Sequence, residues 1–525
     1  MRFFSTLLFA LIAVSGEARR DPRHAGKAIA DKIALAERNF IHAPVDMKSA
    51  ERVQQVKRQG ATIIPQTDAI KKFIVDGTKI PDGGPGCSSL EGFLQENGPF
   101  LWQYGTFKPV KNPWSWHTLT NMIWVEQPVG TGFSQGQSTE TTQEAVAASF
   151  LGFLKNFEQT FNFKNKKIYI TGESYAGMFV PYIADAMFNS KDKEHFDVQG
   201  TMIYDGGINQ DSIMQEIPAF KHVKDLDKFF NLNDTTMADL TDRAEKCGYT
   251  KYLADHLVYP PKAKLPTPPP TTKDCELWSR IKDAAVQFNP CFNIYDIATT
   301  CPNLWDVLGF PGSFTYLPSG ATIYFNRTDV QKAINAPIQS WNECGEVALD
   351  KDGTSIPSSL TILPSVIERS KRTIIAHGNL DYILLKDGSL LTIQNMTWNG
   401  KQGFQTAPKS DFYVPYHKDL NIGTTAGSGV MGVTHTERGL TWVEVFMSGH
   451  MVPQYQPSAA YRQMEFLLGR IKNLNEVSAF TTQPGVPQTT SPLKTEMGDV
   501  QWSTGVFGSL RLWNTPEHLF LKTEM

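Results

Sequence analysis

A strand-like run, Lys167 to Thr171, leads directly into Gly172-Glu173-Ser174-Tyr175-Ala176-Gly177 and then into a helical segment. A strand, a tight turn and a helix in that order present a serine at the carboxyl end of a strand, the setting of a nucleophile elbow. Upstream, Val146, Phe150, Phe153, Leu154 and Phe157 share one face of a helix expected over Thr141 to Phe157. Thr141 and Glu144 form a capping-box pattern at its start. Asn121 to Glu126 reads as a strand before that helix. Strand, helix and strand in close succession imply parallel strands with a right-handed crossover. The expected fold class is therefore α/β, with a central, mostly parallel sheet.

Two later segments give the serine its partners. Asp381 lies in the loop Gly378-Asn379-Leu380-Asp381-Tyr382, just past the strand-like run Arg372 to His377. His450 lies in Gly449-His450-Met451-Val452-Pro453, past a strand expected over Leu440 to Phe446. Serine, acid and histidine in that chain order, each after a strand, match the order of α/β-hydrolases. A serine hydroxyl is a poor nucleophile until a base takes its proton, and a neutral imidazole is suited to do so. A carboxylate on the other ring nitrogen then fixes the tautomer and stabilises the imidazolium that forms. Ser174, Asp381 and His450 are thus the candidate nucleophile, orienting acid and base. The eleven histidines show no His-x-x-x-His spacing, and neither a metal nor another cofactor is expected.

Further motifs sharpen this. Gly83-Gly84-Pro85-Gly86-Cys87-Ser88-Ser89, Asn112-Pro113-Trp114-Ser115-Trp116 and Trp124-Val125-Glu126-Gln127-Pro128-Val129-Gly130-Thr131-Gly132-Phe133-Ser134 accompany the serine hexapeptide and the His450 loop. Together they resemble the serine carboxypeptidases, most closely the secreted fungal ones, from Gly83 to about Asn473. The resemblance implies an α/β-hydrolase fold with an inserted cap. It also implies release of the carboxy-terminal residue of a peptide through an acyl-enzyme on Ser174, favoured at acidic pH. Backbone N–H groups of Gly84 and Tyr175 would form the oxyanion hole. Recognition of the substrate's free carboxylate would fall to Asp82, Gly83, Glu96 and Glu173. A carboxyl can donate to a carboxylate only while protonated, so packing the two glutamates together should raise their pKa values. A disulfide between Cys87 and Cys344 is implied as well.

The chain departs from the family pattern just before the glycine loop. Asp82 stands where members carry asparagine, and Asp76-Gly77-Thr78-Lys79-Ile80-Pro81 stands where an apolar strand is expected. The first strands of the sheet are therefore expected to be missing. A buried five-residue strand contributes on the order of 10 kcal/mol, comparable with the whole stability of a domain. Two rival readings accompany the carboxypeptidase: an acyltransferase or esterase using the same triad, and a catalytically impaired homologue that folds poorly.

Residues 1–18, an apolar run after Met1-Arg2, read as a secretory signal too short to span a bilayer. Residues 19–81 form a basic segment and candidate propeptide, 82–209 the first part of the hydrolase core, 210–320 an inserted cap containing a proline-rich stretch, 321–473 the second part of the core and 474–525 a linker and tail. A secreted or vacuolar product is expected, with sequons at Asn233, Asn326 and Asn395. Six cysteines without C-x-x-C spacing suggest three disulfides in an oxidising compartment. For Cys247, Cys275, Cys291 and Cys301 a nested pairing is favoured. The net charge of -3 gives no reason to invoke nucleic acid or an anionic membrane. Peptide or protein C-termini are the expected substrates, and the oligomeric state is not legible.

Overall fold

In a computed structural model of the chain, the described residues run from 86 to 488, with gaps at 104–105, 107, 290, 301–306, 309–322, 346, 350–354, 418–425 and 487, and resume at 511–515 and 518–522. All belong to the second of two compact units, Val75–Met525. The signal, the basic segment and the departure at Asp76 to Asp82 lie outside the described residues.

Six strands form the central sheet: β1 (Lys167–Glu173), β2 (Asp197–Tyr204), β3 (Arg372–Gly378), β4 (Ser410–Val414), β5 (Gly429–Glu437) and β6 (Leu440–Val445). Their spatial order is β1-β2-β3-β6-β5-β4. β1, β2, β3 and β6 run parallel, while β5 and β4 add an antiparallel edge. The apolar runs make this possible because both faces are covered. Ile203, Ile375 and Trp442 point into one core with Val146, Val180 and Ile183 from the flanking helices. Their strand neighbours Met202, Ile374 and Val443 point the other way, against Tyr461 and Met464. Each fully buried side chain of this size contributes about 1.5 to 3 kcal/mol, so the apolar centres Met202-Ile203 of β2 and Ile374-Ile375-Ala376 of β3 carry much of the sheet's packing.

Helix α1 (Gln143–Phe161) precedes β1, and α2 (Ala176–Ser190) leaves it. The helix start differs from expectation by one residue. Thr142, not Thr141, is the N-cap, its hydroxyl accepting from the Ala145 N–H at 3.2 Å. Position N3 is therefore Ala145, and the expected capping box with Glu144 is not formed. Asn121 to Glu126 is not a strand. Among the described residues β1 is the edge of the sheet, and this segment does not pair with it. Its groups bond to side chains instead: Ser89 Oγ donates to the Val125 carbonyl at 2.6 Å, and the Trp124 indole donates to Asn97 Oδ1 at 2.8 Å. β1 itself is only half covered, whereas β2 is buried nearly throughout.

Between β2 and β3 lie α3 (Ile217–Asp225), α4 (Asp234–Lys246), α5 (Tyr249–His256) and α6 (Leu277–Phe288), packed around Val223, Leu240, Tyr249, Leu277 and Ile281. Cys247 at the end of α4 is bonded to Cys275 just before α6. This overturns the nested pairing: the short segment that folds back from α5 to α6 brings neighbouring cysteines together. Cys291 is also disulfide-bonded, and Cys301 lies outside the described residues. The Cys87–Cys344 bond implied by the resemblance is present, closing a separation of 257 residues. After β3 come α7 (Lys386–Asn395) and, following β6, α8 (Pro457–Leu467). No helix among the described residues is long and apolar enough to cross a membrane.

Candidate active site

Because β1, β2, β3 and β6 are parallel and in register, their carboxyl ends share one margin of the sheet. Ser174, Asp381 and His450 all lie at that margin. Ser174 adopts φ +58°, a left-handed conformation that costs a non-glycine residue roughly 1–2 kcal/mol. Neighbouring bonds hold it there. Its N–H donates to the Tyr204 carbonyl at 3.0 Å, and its own carbonyl accepts from Gly177 and Gly207, both at 2.9 Å. The turn is so tight that a Cβ on residue 172 would stand 2.5 Å from the Ala176 Cβ, which accounts for Gly172.

Asp381 is fully buried past β3. Its Oδ1 accepts from the Ile383 N–H at 2.8 Å, and its Oδ2 accepts from His450 Nδ1 at 2.8 Å. The backbone of His450 donates to the Tyr295 carbonyl at 2.7 Å, and the Tyr295 ring meets the imidazole edge-on, centroids 5.4 Å apart. A Cβ at Gly449 would come within 2.2 Å of that same carbonyl, so glycine is required before the histidine. With Nδ1–H engaged by Asp381, Nε2 is the basic nitrogen. It is buried and has no hydrogen-bond partner among the described residues. The pair is an imidazole oriented by a carboxylate, with its second nitrogen unengaged by any described residue.

Glu96 ends the short π-helical turn Gly92–Glu96. Asn112 Nδ2 donates to the Glu96 carbonyl at 2.8 Å, while Ser115 Oγ and the Trp116 N–H donate to the Asn97 carbonyl at 2.9 and 3.0 Å. The Asn112 to Trp116 motif thus clamps the segment that carries Glu96. Asn97 Nδ2 reaches Glu96 Oε2 at 3.4 Å. Burial pushes Glu96 up to about 7. Glu173, next to the nucleophile, is held well above the usual carboxylate range, first by burial and then by the charge of Glu96. Its Oε2 is buried with no partner among the described residues. Two carboxyls in one dry site favour the protonated, donating form.

Tyr175, following the nucleophile, sits at the N-cap of α2, 43% exposed, with its hydroxyl accepting from Gln143 Nε2 at 3.1 Å. Asp82, Gly83 and Gly84 lie outside the described residues. Two buried groups at the margin were missed by the sequence reading, Asp205 after β2 and His377 in β3, as was the half-buried Asp296, whose carboxyl desolvation pushes up to about 7. For Asp205 a signal existed, an acidic residue closing the apolar run Met202-Ile203-Tyr204.

Against this geometry, residues 82–469 match the family model described as serine carboxypeptidase. The chain belongs to the serine carboxypeptidase family. It is 58% identical over 407 residues, 75% of this chain and 77% of the relative, to a probable serine carboxypeptidase of Arthroderma benhamiae. It is 46% identical over 409 residues, 74% of this chain and 77% of the relative, to serine-type carboxypeptidase F of Aspergillus niger. Among solved structures, Kex1(delta)p, a prohormone-processing carboxypeptidase from Saccharomyces cerevisiae, aligns with a TM-score of 0.56 at 24% identity, over 75% of this chain and 83% of that one. This likeness supports the α/β-hydrolase fold. By its family the chain is a hydrolase of the exopeptidase class.

Proposed function

We propose that the enzyme releases the carboxy-terminal amino acid of a peptide by acyl transfer to Ser174 and then to water. The reading is carried by the juxtaposition of Glu96 and Glu173, two buried carboxyls beside the nucleophile turn. His450 Nε2 would take the Ser174 proton during attack and return it to the leaving amine, with Asp381 balancing the imidazolium. The N–H of Tyr175, with that of Gly84, would stabilise the developing oxyanion. Protonated Glu96 and Glu173 would donate to the substrate's terminal carboxylate, with Asp82 and Gly83 completing that pocket. The segment from 210 to 320, which contains α3 to α6, would shape the approach to it.

The test compares a blocked dipeptide with its C-terminal amide. Amino-acid release from the acid, with little turnover of the amide, is expected. Equal turnover of simple esters and no peptide cleavage would favour the acyltransferase or esterase reading.

The raised pKa values of Glu96 and Glu173 set a direction with pH. Below the ordinary carboxylate range, both folded and unfolded chains hold the Glu96 proton. As pH rises through about 7, the fold must give it up, so this contribution to stability is present at low pH and lost as pH increases. Binding should follow: KM for the free acid is expected to rise roughly 10- to 100-fold between about pH 5 and pH 8, from loss of a charge-assisted hydrogen bond. In Glu96→Gln, which donates at every pH, the rise should largely vanish. A KM profile unchanged by that substitution would argue against Glu96 in the carboxylate pocket.

For a protein passing through the secretory route, Asn233 is the sequon best placed for a glycan. It is exposed, and its Oδ1 caps α4 by accepting from the Thr236 N–H at 2.9 Å, leaving the amide nitrogen outward. Asn326 is half-buried and spends its Nδ2 on the Trp341 carbonyl at 2.6 Å. Asn395 is half-buried against Leu265. Asn233→Gln is expected to remove a glycosidase-sensitive mass step, and Asn326→Gln to leave it unchanged.

A further inference from the structure

We propose that Asp205 carries a proton in the working enzyme and uses it to hold the Asp381 carboxylate in place, a positioning role that rests on the reading of Asp381 and His450 above. Asp205 follows β2 directly, with φ +44° and its N–H donating to the Ala376 carbonyl at 2.9 Å. It therefore stands at the sheet margin between the nucleophile turn and the Asp381 loop. The side chain is fully buried. Oδ1 accepts from the Gly378 N–H at 2.8 Å, and Oδ2 is buried and receives no donor among the described residues, while the Asp205 and Asp381 carboxyls meet side chain to side chain. A carboxyl oxygen of Asp205, one of Asp381 and a ring nitrogen of His377 all lie within 4.8 Å of one another.

Two buried carboxyls at this separation do not both ionise without a cation between them. His377 does not supply one. Its Nε2 donates to the Leu384 carbonyl at 2.8 Å, and burial pushes the imidazole down to about 4, so it is neutral at working pH. The same hydrogen bond occupies the Nε2 lone-pair direction with an N–H, which removes the histidine as a metal ligand in this cluster. Other groups around Asp205 do not favour its charge. Glu173 from β1 and Tyr204 from β2 are both raised, in part by Asp205 itself. Lys386, which acts on His377 from α7, is already paired with Glu444 at 3.3 Å and Asp387 at 3.6 Å. Of the two carboxyls, Asp381 receives N–H bonds on both oxygens, whereas Asp205 has a bare one. The proton therefore belongs on Asp205 Oδ2. Burial and the adjacent Asp381 charge accordingly hold Asp205 well above the usual carboxylate range. A neutral O–H beside Asp381 draws charge away from it and moderates its grip on the imidazolium, which helps His450 act as a base in mildly acidic solution.

Thermal unfolding and active-serine labelling test this together. A carboxyl whose proton is held more tightly by the fold stabilises it below the unfolded pKa and loses that contribution as pH rises. Asparagine accepts the left-handed backbone and has no proton to lose. The Tm of Asp205→Asn should therefore gain on wild type by a few degrees from about pH 4 to pH 7. A pH-independent difference would overturn the protonated state. The rate of Ser174 phosphonylation by a fluorophosphonate, which bypasses carboxylate recognition, should show its acid limb displaced upward by about half to one pH unit in Asp205→Ala and restored in Asp205→Asn. An acid limb in the same place in all three proteins would overturn the positioning role. Normal labelling without release of an amino acid would count against the Glu96–Glu173 pocket and leave Asp205 supported.

Discussion

Replacing Ser174 with alanine is expected to lower kcat/KM for amino-acid release from a blocked dipeptide by about 10⁴- to 10⁶-fold. The size of the loss follows from the geometry. His450 and Asp381 form a buried 2.8 Å pair whose remaining nitrogen has no partner among the described residues. Without the hydroxyl, that pair has no proton to take, and the other members cannot replace an acyl acceptor. Asp381→Asn should approach the same loss, because an amide cannot stabilise the imidazolium and permits the wrong tautomer. Ser174→Ala should unfold at a temperature close to that of wild type, since alanine keeps the same Cβ at φ +58° and removes only the hydroxyl. Release of the amino acid by Ser174→Ala at even a hundredth of the wild-type rate would rule out the acyl-enzyme route.

Loss of the Cys87–Cys344 bond should have the largest effect on stability. It closes a separation of 257 residues, and in the chain-entropy account a loop of this length is worth about 5 kcal/mol. That is comparable with the entire net stability of many domains. Cys87 also begins the segment that leads through Ser88 and Ser89 to Glu96. Ser88 donates to Glu126 and Ser89 to the Val125 carbonyl, so the bond anchors a surface built from side-chain contacts rather than a strand ladder. The double variant Cys87→Ser, Cys344→Ser is expected to unfold at much lower denaturant and to lose peptide turnover together with it. Breaking Cys247–Cys275, separated by 28 residues, should cost about 3 to 4 kcal/mol in the same account and act mainly on the helical cap. Equal sensitivity of both variants to urea would contradict this ordering.

The Asp381–His450 pair and the turn at Ser174 were legible because each residue is announced locally, by a strand before it and a turn around it. β1, β3 and β6 showed as strand-like runs, and α1 showed as a helical stripe of aromatic and aliphatic residues, whereas β2 was not read. What could not be read depends on partners distant in sequence. Asn121 to Glu126 has the composition of a strand, yet a strand exists only where a neighbour offers a ladder, and here the Val125 carbonyl is taken by a serine side chain. The choice between Thr141 and Thr142 as cap turned on which hydroxyl reaches an N–H three residues on. The cysteine pairing in the cap required the path from α5 to α6, which spacing does not specify. Asp205 is the clearest case. Its neighbours Asp381 and His377 come from β3 and the loop beyond, brought to it only by the β2–β3 pairing.

The order of the strands has a consequence for the protein during its own synthesis. Ser174 emerges with β1, but its base arrives only after β6, beyond the cap and the rest of the sheet. Until that last parallel strand docks on β3, the nascent chain holds a serine without a base. On the roles proposed above, the enzyme is thus latent by topology while it is being made, since the serine meets its base only once that strand is in place.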